Sequence, residues 1–346
     1  MRALTVLPAS PGSGGLTEIA EPEPNEGSVL VATRAIGICG TDREILAGEY
    51  GQAPPAEQRL VLGHESLGEV LSAPADSGLS PGDPVVGVVR RPDPVPCPNC
   101  AIGEFDMCRN GRYTEHGITG RPGFARDRWR AEPDALVRVD PRLGELAVLL
   151  EPTSVVAKAW EHVEAIGRRA RWEPQCVLVT GAGAVGMLAA LLAVQRGLDV
   201  HVLDRVTDGP KPSLVEQLGA TYHALPVDRL PFEPDIVVEC TGAPAVIAGV
   251  VSGTARNGIV CLAGVSSPGR TIRLDVGALN RELVLENDVV FGSVNANRRH
   301  YQAAAADLAA ADPSWLAQLI SRRVPVEDYQ QAFDQRADDV KTVVTF

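Results

Sequence analysis

Lysine is nearly missing from this chain. It occurs only at Lys158, Lys211 and Lys341, and arginine supplies the remaining positive charge. With a formal net charge of -12 at pH 7, nothing resembles the basic patch that a nucleic-acid partner needs. Long apolar runs are also missing. Gly, Pro or a charge interrupts every hydrophobic stretch well before the roughly 18 residues of a membrane span. The N-terminal MRALTVLPASPGSGG lacks the longer apolar core of a secretory signal. No membrane partner is therefore expected, and the location expected is cytoplasmic. Cysteine is present but not in the form a disulfide framework takes: there are seven, an odd number, in a chain expected to be cytosolic. Cys176, Cys240 and Cys261 sit in or at the end of apolar strand-like runs and read as small buried hydrophobes. Cys39, Cys97, Cys100 and Cys108 have metal-type spacing or metal-type neighbours.

What is there is enough for two domains. The chain has 346 residues, 45% of them hydrophobic, more than one typical core holds and an ordinary globular composition. Up to about Gly144 the texture is rich in Gly and Pro, with short strand patterns at 28–36, 69–72 and 84–89 and few helical periods. From Glu151 it changes. Residues 155–168 have helical period, and from Gln175 strands and helices alternate: strands at 176–180, 200–203, 235–240, 258–264 and 288–292, and helices at 184–195 and around 213–218. This alternation predicts an α/β doubly wound parallel sheet. Helices near 299–311 and 326–333 and a last strand at 342–346 complete the chain.

The string Gly181-Ala182-Gly183-Ala184-Val185-Gly186 gives GxGxxG directly after an apolar strand and at the start of an apolar helix, the context a dinucleotide site requires. Gly181 permits the tight turn, Gly183 admits the pyrophosphate close to the backbone, and Gly186 allows close helix packing. The phosphates then meet free N–H groups at the helix N-terminus, including those of Ala184 and Val185. Asp204 ends the next strand. An acid there accepts from the ribose hydroxyls and repels a 2′-phosphate, which favours NAD over NADP. Arg205, the next residue, is able to contact that phosphate and keeps NADP open.

Three further segments carry chemistry: Cys39-Gly40-Thr41-Asp42, Gly63-His64-Glu65 and Glu151-Pro152. Cys39, His64, Glu65 and Glu151 supply one thiolate, one imidazole and two carboxylates, a mixture that zinc accepts with a position left for water or substrate. Zinc makes the proton of a weakly acidic hydroxyl removable near neutral pH, and a nicotinamide takes the hydride. Separately, Cys97-Pro98-Asn99-Cys100 and Cys108 read CxxC-x7-C. Thiolates at this spacing grip one zinc, with the later Cys closing the loop; the other reading is a lobe that keeps its thiols without metal.

The CGTD, GHE and EP pieces and the GxGxxG resemble, in order, the medium-chain zinc-dependent dehydrogenase/reductase family across essentially the whole chain. The stretches Val89-Arg90-Arg91-Pro92, Tyr113-Thr114-Glu115-His116-Gly117-Ile118, Asn280-Arg281-Glu282-Leu283-Val284-Leu285 and Gly292-Ser293-Val294-Asn295 look like its glucose 1-dehydrogenase branch. The resemblance implies a GroES-like β-rich catalytic domain over 1–152 and 292–346 and an inserted Rossmann domain over 153–291, with the active site in the cleft between them. It implies that Cys39 and His64 are permanent ligands of a catalytic zinc, and that Glu65 and Glu151 alternate with water or substrate oxygen. Thr41 would bind the reacting hydroxyl and begin a proton relay. Glu115 and Asn295 would bind sugar hydroxyls, and Asn295 would also touch the nicotinamide side of the cofactor. In the second metal site the family carries a fourth cysteine where this chain has Pro94, which leaves Asp93 as the candidate fourth ligand beside Cys97, Cys100 and Cys108. The activity implied is NAD(P)-linked oxidation of a sugar hydroxyl, for an aldose such as glucose at the anomeric carbon to the lactone. The alternatives are dehydrogenation of a cyclitol, carbasugar or other polyol, and, in another class, a zinc-free quinone or enone reductase. A homodimer or homotetramer is the expected assembly.

Overall fold

A computed structural model describes residues 1–266, 269 and 271–346. The chain divides into two units, Met1–Ser154 with Asn295–Phe346, and Val155–Val294.

The first unit is built on a seven-stranded sheet. Its path runs Leu136–Arg138, Pro84–Gly87, Glu65–Ser72, Val29–Ile38, Lys341–Thr345 and Ile320–Pro325, with Arg128–Ala131 also paired to Val29–Ile38. The ten-residue strand Val29–Ile38 alternates buried and less buried residues at first, then buries its last four outright. Val31, Ile36, Val70, Val85, Phe124 and Trp129 form the centre of its core. Glu65–Ser72 runs antiparallel on one side of this strand, with Glu65 opposite Gly37. Lys341–Thr345 runs antiparallel on the other, with Thr342 opposite Ile38. Glu65 and Lys341 therefore meet where the central strand hands over to Cys39.

Two elements here escape a reading by period. Arg2–Val6 pairs with Gly15–Glu18 and with Leu60–Val61, and the helix Gly40–Leu46 has only seven residues, too few for a 3.6-residue repeat to show. The helix expected over 326–333 is instead a 3-10 turn, Val326–Asp328, and a short helix, Gln330–Phe333. The helix expected from 155 begins earlier, as Leu150–Gly167. Pro152 falls in its first turn, where its missing N–H forfeits no helical bond. Glu151 is thereby fixed on that first turn rather than in a loop.

The second unit holds a six-stranded parallel sheet in the order Thr221–His223, Asp199–Leu203, Cys176–Thr180, Ile236–Glu239, Ile259–Leu262, Val289–Gly292. The helix Ala184–Gln195 is buried on nearly every face, which is why its sequence shows hydrophobicity without amphipathic contrast. Strand order reverses next to Cys176–Thr180, so the crevice for a ligand opens at the carboxyl end of that strand, at Gly181.

Candidate active site

Cys39 caps the helix Gly40–Leu46: its sulfur accepts from the Thr41 N–H at 3.2 Å, and its own N–H donates to Asp42 Oδ2 at 3.0 Å. The helix start thus aims the thiol and buries Asp42. Ligand atoms of Cys39, His64 and Glu65 lie within 4.8 Å of one another. His64 Nδ1 faces Asp42 Oδ1 at 3.3 Å. A carboxylate in that position fixes the ring and leaves Nε2 for a metal, the usual arrangement around ligating histidines. Gly37 makes room for Glu65, since a Cβ on it would stand 2.0 Å from Glu65 Oε2. Thr41 is half-buried on the first turn of the helix.

His64, Glu65 and Glu151 are buried, and Cys39 is half-buried. His64 is held well above its ordinary value: burial alone would lower it, but Asp42 and Cys39 beside it prevail. Burial pushes the Glu151 carboxyl up to about 7; Glu65 and Asp42 add to the rise, and His64 and Lys341 oppose it. Lys341 Nζ donates to both Glu65 oxygens, at 2.7 and 2.5 Å, and to Ile38 O at 3.3 Å. A thiol, an imidazole and a carboxylate converge, and this donor set fits zinc; Glu151 is buried outside that group of three.

A second polar cluster forms where Arg90 and Glu115 stand opposite each other on paired strands. Arg90 Nε and Nη2 donate to Glu115 Oε1 at 3.1 and 2.9 Å, Asn295 Nδ2 donates to the same oxygen at 2.7 Å, and Arg90 Nη1 donates to Asp106 O at 2.9 Å. The Arg90 guanidinium lies 3.7 Å over the Tyr113 ring. Asn295 has a left-handed φ of 61°, a conformation asparagine tolerates better than most residues. Three N–H donors on Oε1 leave Oε2 as the acceptor available to a ligand hydroxyl.

In the other unit, Gly181 has φ +89°, and a Cβ on Gly186 would fall 1.8 Å from Gly181 O. The first turn of the helix rests directly on the loop. A Cβ on Gly183 would meet nothing within 4 Å, so packing within the protein does not explain that glycine, whereas a phosphate approaching the helix N-terminus does. Ala184 is buried and Val185 half-buried at that turn. Asp204 is tied down more than its sequence suggests. Oδ2 accepts from Ala182 N–H at 2.6 Å and Oδ1 from Val206 N–H at 3.1 Å. It therefore braces the glycine-rich loop, while Arg205 is exposed. The loop and its acidic neighbour fit a dinucleotide.

Cys97, Cys100 and Cys108 also gather, their sulfurs within 4.8 Å of one another and those of Cys97 and Cys100 at 3.6 Å. Asp93 does not join them, contrary to expectation. Its carboxylate accepts from Val95 N–H at 2.8 Å, Asn110 Nδ2 at 2.8 Å and Arg112 Nε at 3.2 Å. Val95, Asn110 and Arg112 are its partners, and the grouped ligands are the three cysteines alone.

Three residues with structural weight at these sites carry no role in the sequence reading: Asp42, Arg90 and Lys341. Asp42 and Arg90 lie inside the quoted CGTD and VRRP strings. Lys341 had a signal of its own, as one of three lysines, set in an apolar terminal strand where a surface charge has no place.

A glycine-loop parallel sheet in one unit and a thiolate–imidazole–carboxylate group in the other define a class, the zinc-dependent nicotinamide dehydrogenases. Residues 25–141 match the alcohol dehydrogenase GroES-like domain, and residues 144–346 match the glucose dehydrogenase C-terminus. The chain is 40% identical to glucose 1-dehydrogenase 2 of Vulcanisaeta moutnovskia and 40% identical to glucose 1-dehydrogenase of Thermoproteus tenax, each over 99% of both chains. It superposes on Haloferax mediterranei glucose dehydrogenase, solved in complex with NADP, Zn and gluconolactone, with a TM-score of 0.93, 34% identity, and 100% of this chain and 99% of that one covered. The chain belongs to the medium-chain zinc-dependent dehydrogenase family, in its glucose dehydrogenase branch.

Proposed function

We propose that this protein oxidises an aldose, glucose first among them, at the anomeric carbon to the lactone, with hydride transfer to NAD(P) and a catalytic zinc. The observation that carries the reading is the convergence of Cys39, His64 and Glu65 within 4.8 Å. A zinc-free quinone or enone reductase has no use for such a donor set. When bound, zinc supplies Lewis acidity at the hydroxyl and the nicotinamide accepts the hydride.

The chain's own residues do the rest. Cys39 and His64 hold the metal, with Asp42 fixing the His64 ring. Glu65 and Glu151 stand by as carboxylates able to exchange with a ligand oxygen. The Thr41 hydroxyl binds the reacting hydroxyl and takes up its proton for transfer onward. Glu115 Oε2 and Asn295 bind ring hydroxyls and set which carbon is presented. The backbone from Gly181 to Gly186 takes the pyrophosphate. Asp204 faces the adenosine ribose, but with both oxygens already accepting main-chain N–H groups it is a weaker barrier to a 2′-phosphate than a free carboxylate, and Arg205 next to it favours one. Both NAD and NADP are therefore expected as substrates.

The assembly fits a dimer or tetramer joined through the parallel sheet. The strand Val289–Gly292 is an edge strand, and Val284, Leu285 and Val294 near it in sequence are exposed. Unpaired edges with apolar neighbours are normally covered. No helix among the described residues is long and apolar enough to cross a membrane, and a cytoplasmic site of action accords with that.

The test is NADH and NADPH formation, followed by absorbance, with zinc-loaded protein on a panel of aldoses, alditols and cyclitols. Turnover with glucose that is lost on chelation supports the proposal. Silence on every aldose beside activity on a cyclitol overturns the substrate assignment.

A further inference from the structure

The lobe that holds Cys97, Cys100 and Cys108 is equipped for metal, but not for four protein ligands. Cys97 caps a short helix, and its sulfur accepts from the N–H of Cys100 at 3.5 Å and of Arg109 at 3.4 Å. Donors of this kind offset negative charge on sulfur, as a metal-bound thiolate group requires. Among the described residues no fourth Cys, His, Asp or Glu joins the three. Glu104 and Asp106, between Cys100 and Cys108, accept instead from Asn297 and Arg299, and Asp93 precedes Cys97 by four residues. Its carboxylate is buried and already accepts from Val95, Asn110 and Arg112. To reach a metal it would have to abandon an ion pair and two hydrogen bonds, each to a charged acceptor and worth about 1.5–3 kcal/mol.

We propose that this lobe is a three-thiolate site whose fourth coordination position is left to an exogenous ligand, water or a small monothiol, so that a soft divalent cation bound there is open to ligand exchange. Structural zinc sites are ordinarily closed by four protein ligands, and this one is not. A monothiol entering the position loses its proton to solvent, and its sulfur displaces the resident oxygen ligand, with no change in oxidation state. The site selects thiophilic cations, because three thiolates are the whole of its protein donor set. This rests on reading the lobe as a metal site.

Cadmium-113 NMR of the full chain loaded with cadmium tests it. The catalytic cluster offers one sulfur and the lobe three, so the two resonances separate, and Cys39→Ser removes the first. The expected lobe resonance has the shift of three sulfurs and an oxygen. Adding 2-mercaptoethanol moves it toward the four-sulfur position. Asp93→Ala leaves both values unchanged, and so does Asp93→Asn, which keeps an acceptor for Val95 and Arg112 should the alanine variant fold poorly. A four-sulfur shift before thiol is added, no movement with thiol, or a shift in both Asp93 variants overturns the open position while leaving the metal lobe intact. Failure of Cys39→Ser protein to retain any bound cadmium removes the metal lobe and this proposal together.

Discussion

The Lys341 ammonium lies 2.7 Å from Glu65 Oε1 and 2.5 Å from Oε2, and both side chains are 3% exposed. Lys341 is thus the cation that pairs Glu65. Removing one member of a buried pair leaves a charge stranded, which typically destabilises by about 3–5 kcal/mol. Lys341→Met should lose that much in metal-free protein by urea denaturation. Adding Glu65→Gln to it should restore a large part, because the stranded charge goes with it. Zinc should narrow the gap between variant and parent, since it supplies the missing positive charge next to Glu65. A loss below about 0.5 kcal/mol, the range of ordinary surface substitutions, would show that the pair does not hold the pocket.

That pair also marks how far the sequence carries. Cys39, His64 and Glu65 are legible because ligand types beside turns and short strands have few other uses in combination. The parallel sheet is legible because Cys176–Thr180 and Ala184–Gln195 are continuous, strongly apolar elements, the same bounds that pattern alone assigns. Lys341 is 276 residues from Glu65 in the chain, and only the antiparallel register of two strands with Val29–Ile38 brings them together. No local pattern encodes such a register. Asp93 fails for the opposite reason. Its neighbourhood in sequence suggested a ligand, but Arg112, 19 residues on, competes for the same carboxylate and wins.

Arg90 positions Glu115, the carboxylate proposed to bind the sugar. Two of its N–H groups and the Asn295 amide converge on Glu115 Oε1, which fixes the carboxylate and leaves Oε2 for the proposed sugar contact. Hydrogen bonds to a charged group contribute about 1.5–3 kcal/mol each. Arg90→Met should therefore lower kcat/KM for the aldose by about 10- to 100-fold, mostly through KM, with zinc content and NAD(P) affinity unchanged. Arg90→Lys, which keeps the charge but not the fork, should recover only part. Equal losses in kcat and KM-independent steps, with bound zinc reduced, would place Arg90 in general scaffolding instead.

His116 gives a stability signature in pH. It is buried, its Nδ1 lies 2.7 Å from Pro122 O and so carries the proton and donates to it, and its ring stacks on Phe124 at 4.5 Å. Burial, with Arg91 and Arg121 near, holds it well below its ordinary value of 6.5. The folded state therefore refuses a proton that the unfolded chain accepts. The contribution is fully present above about pH 6.5 and is lost as pH falls below it, by up to about 1.4 kcal/mol per pH unit. Urea denaturation between pH 5 and 8 should show parent and His116→Phe diverging in slope only below about pH 6.5. Parallel curves across the range would mean that His116 titrates alike in both states.

The glycine-rich loop separates packing from ligand binding residue by residue. A Cβ on Gly186 would fall 1.8 Å from a main-chain oxygen, whereas one on Gly183 would enter open space. Gly183 also has an extended backbone, φ -86° and ψ -175°, which alanine adopts freely. Gly186→Ala should destabilise by about 1–3 kcal/mol through overpacking and weaken NAD(P) binding as the loop shifts. Gly183→Ala should change stability by less than about 1 kcal/mol, the usual scale of a helix N-cap substitution. It should still weaken NAD(P) by about tenfold or more, ~1.4 kcal/mol, because its methyl group occupies the approach to the helix N-terminus. Nicotinamide fluorescence titration alongside denaturation reads both quantities on the same protein. Unchanged affinity in Gly183→Ala would move the pyrophosphate off this loop, and a matched loss of stability there would mean that the glycine serves the fold rather than the cofactor.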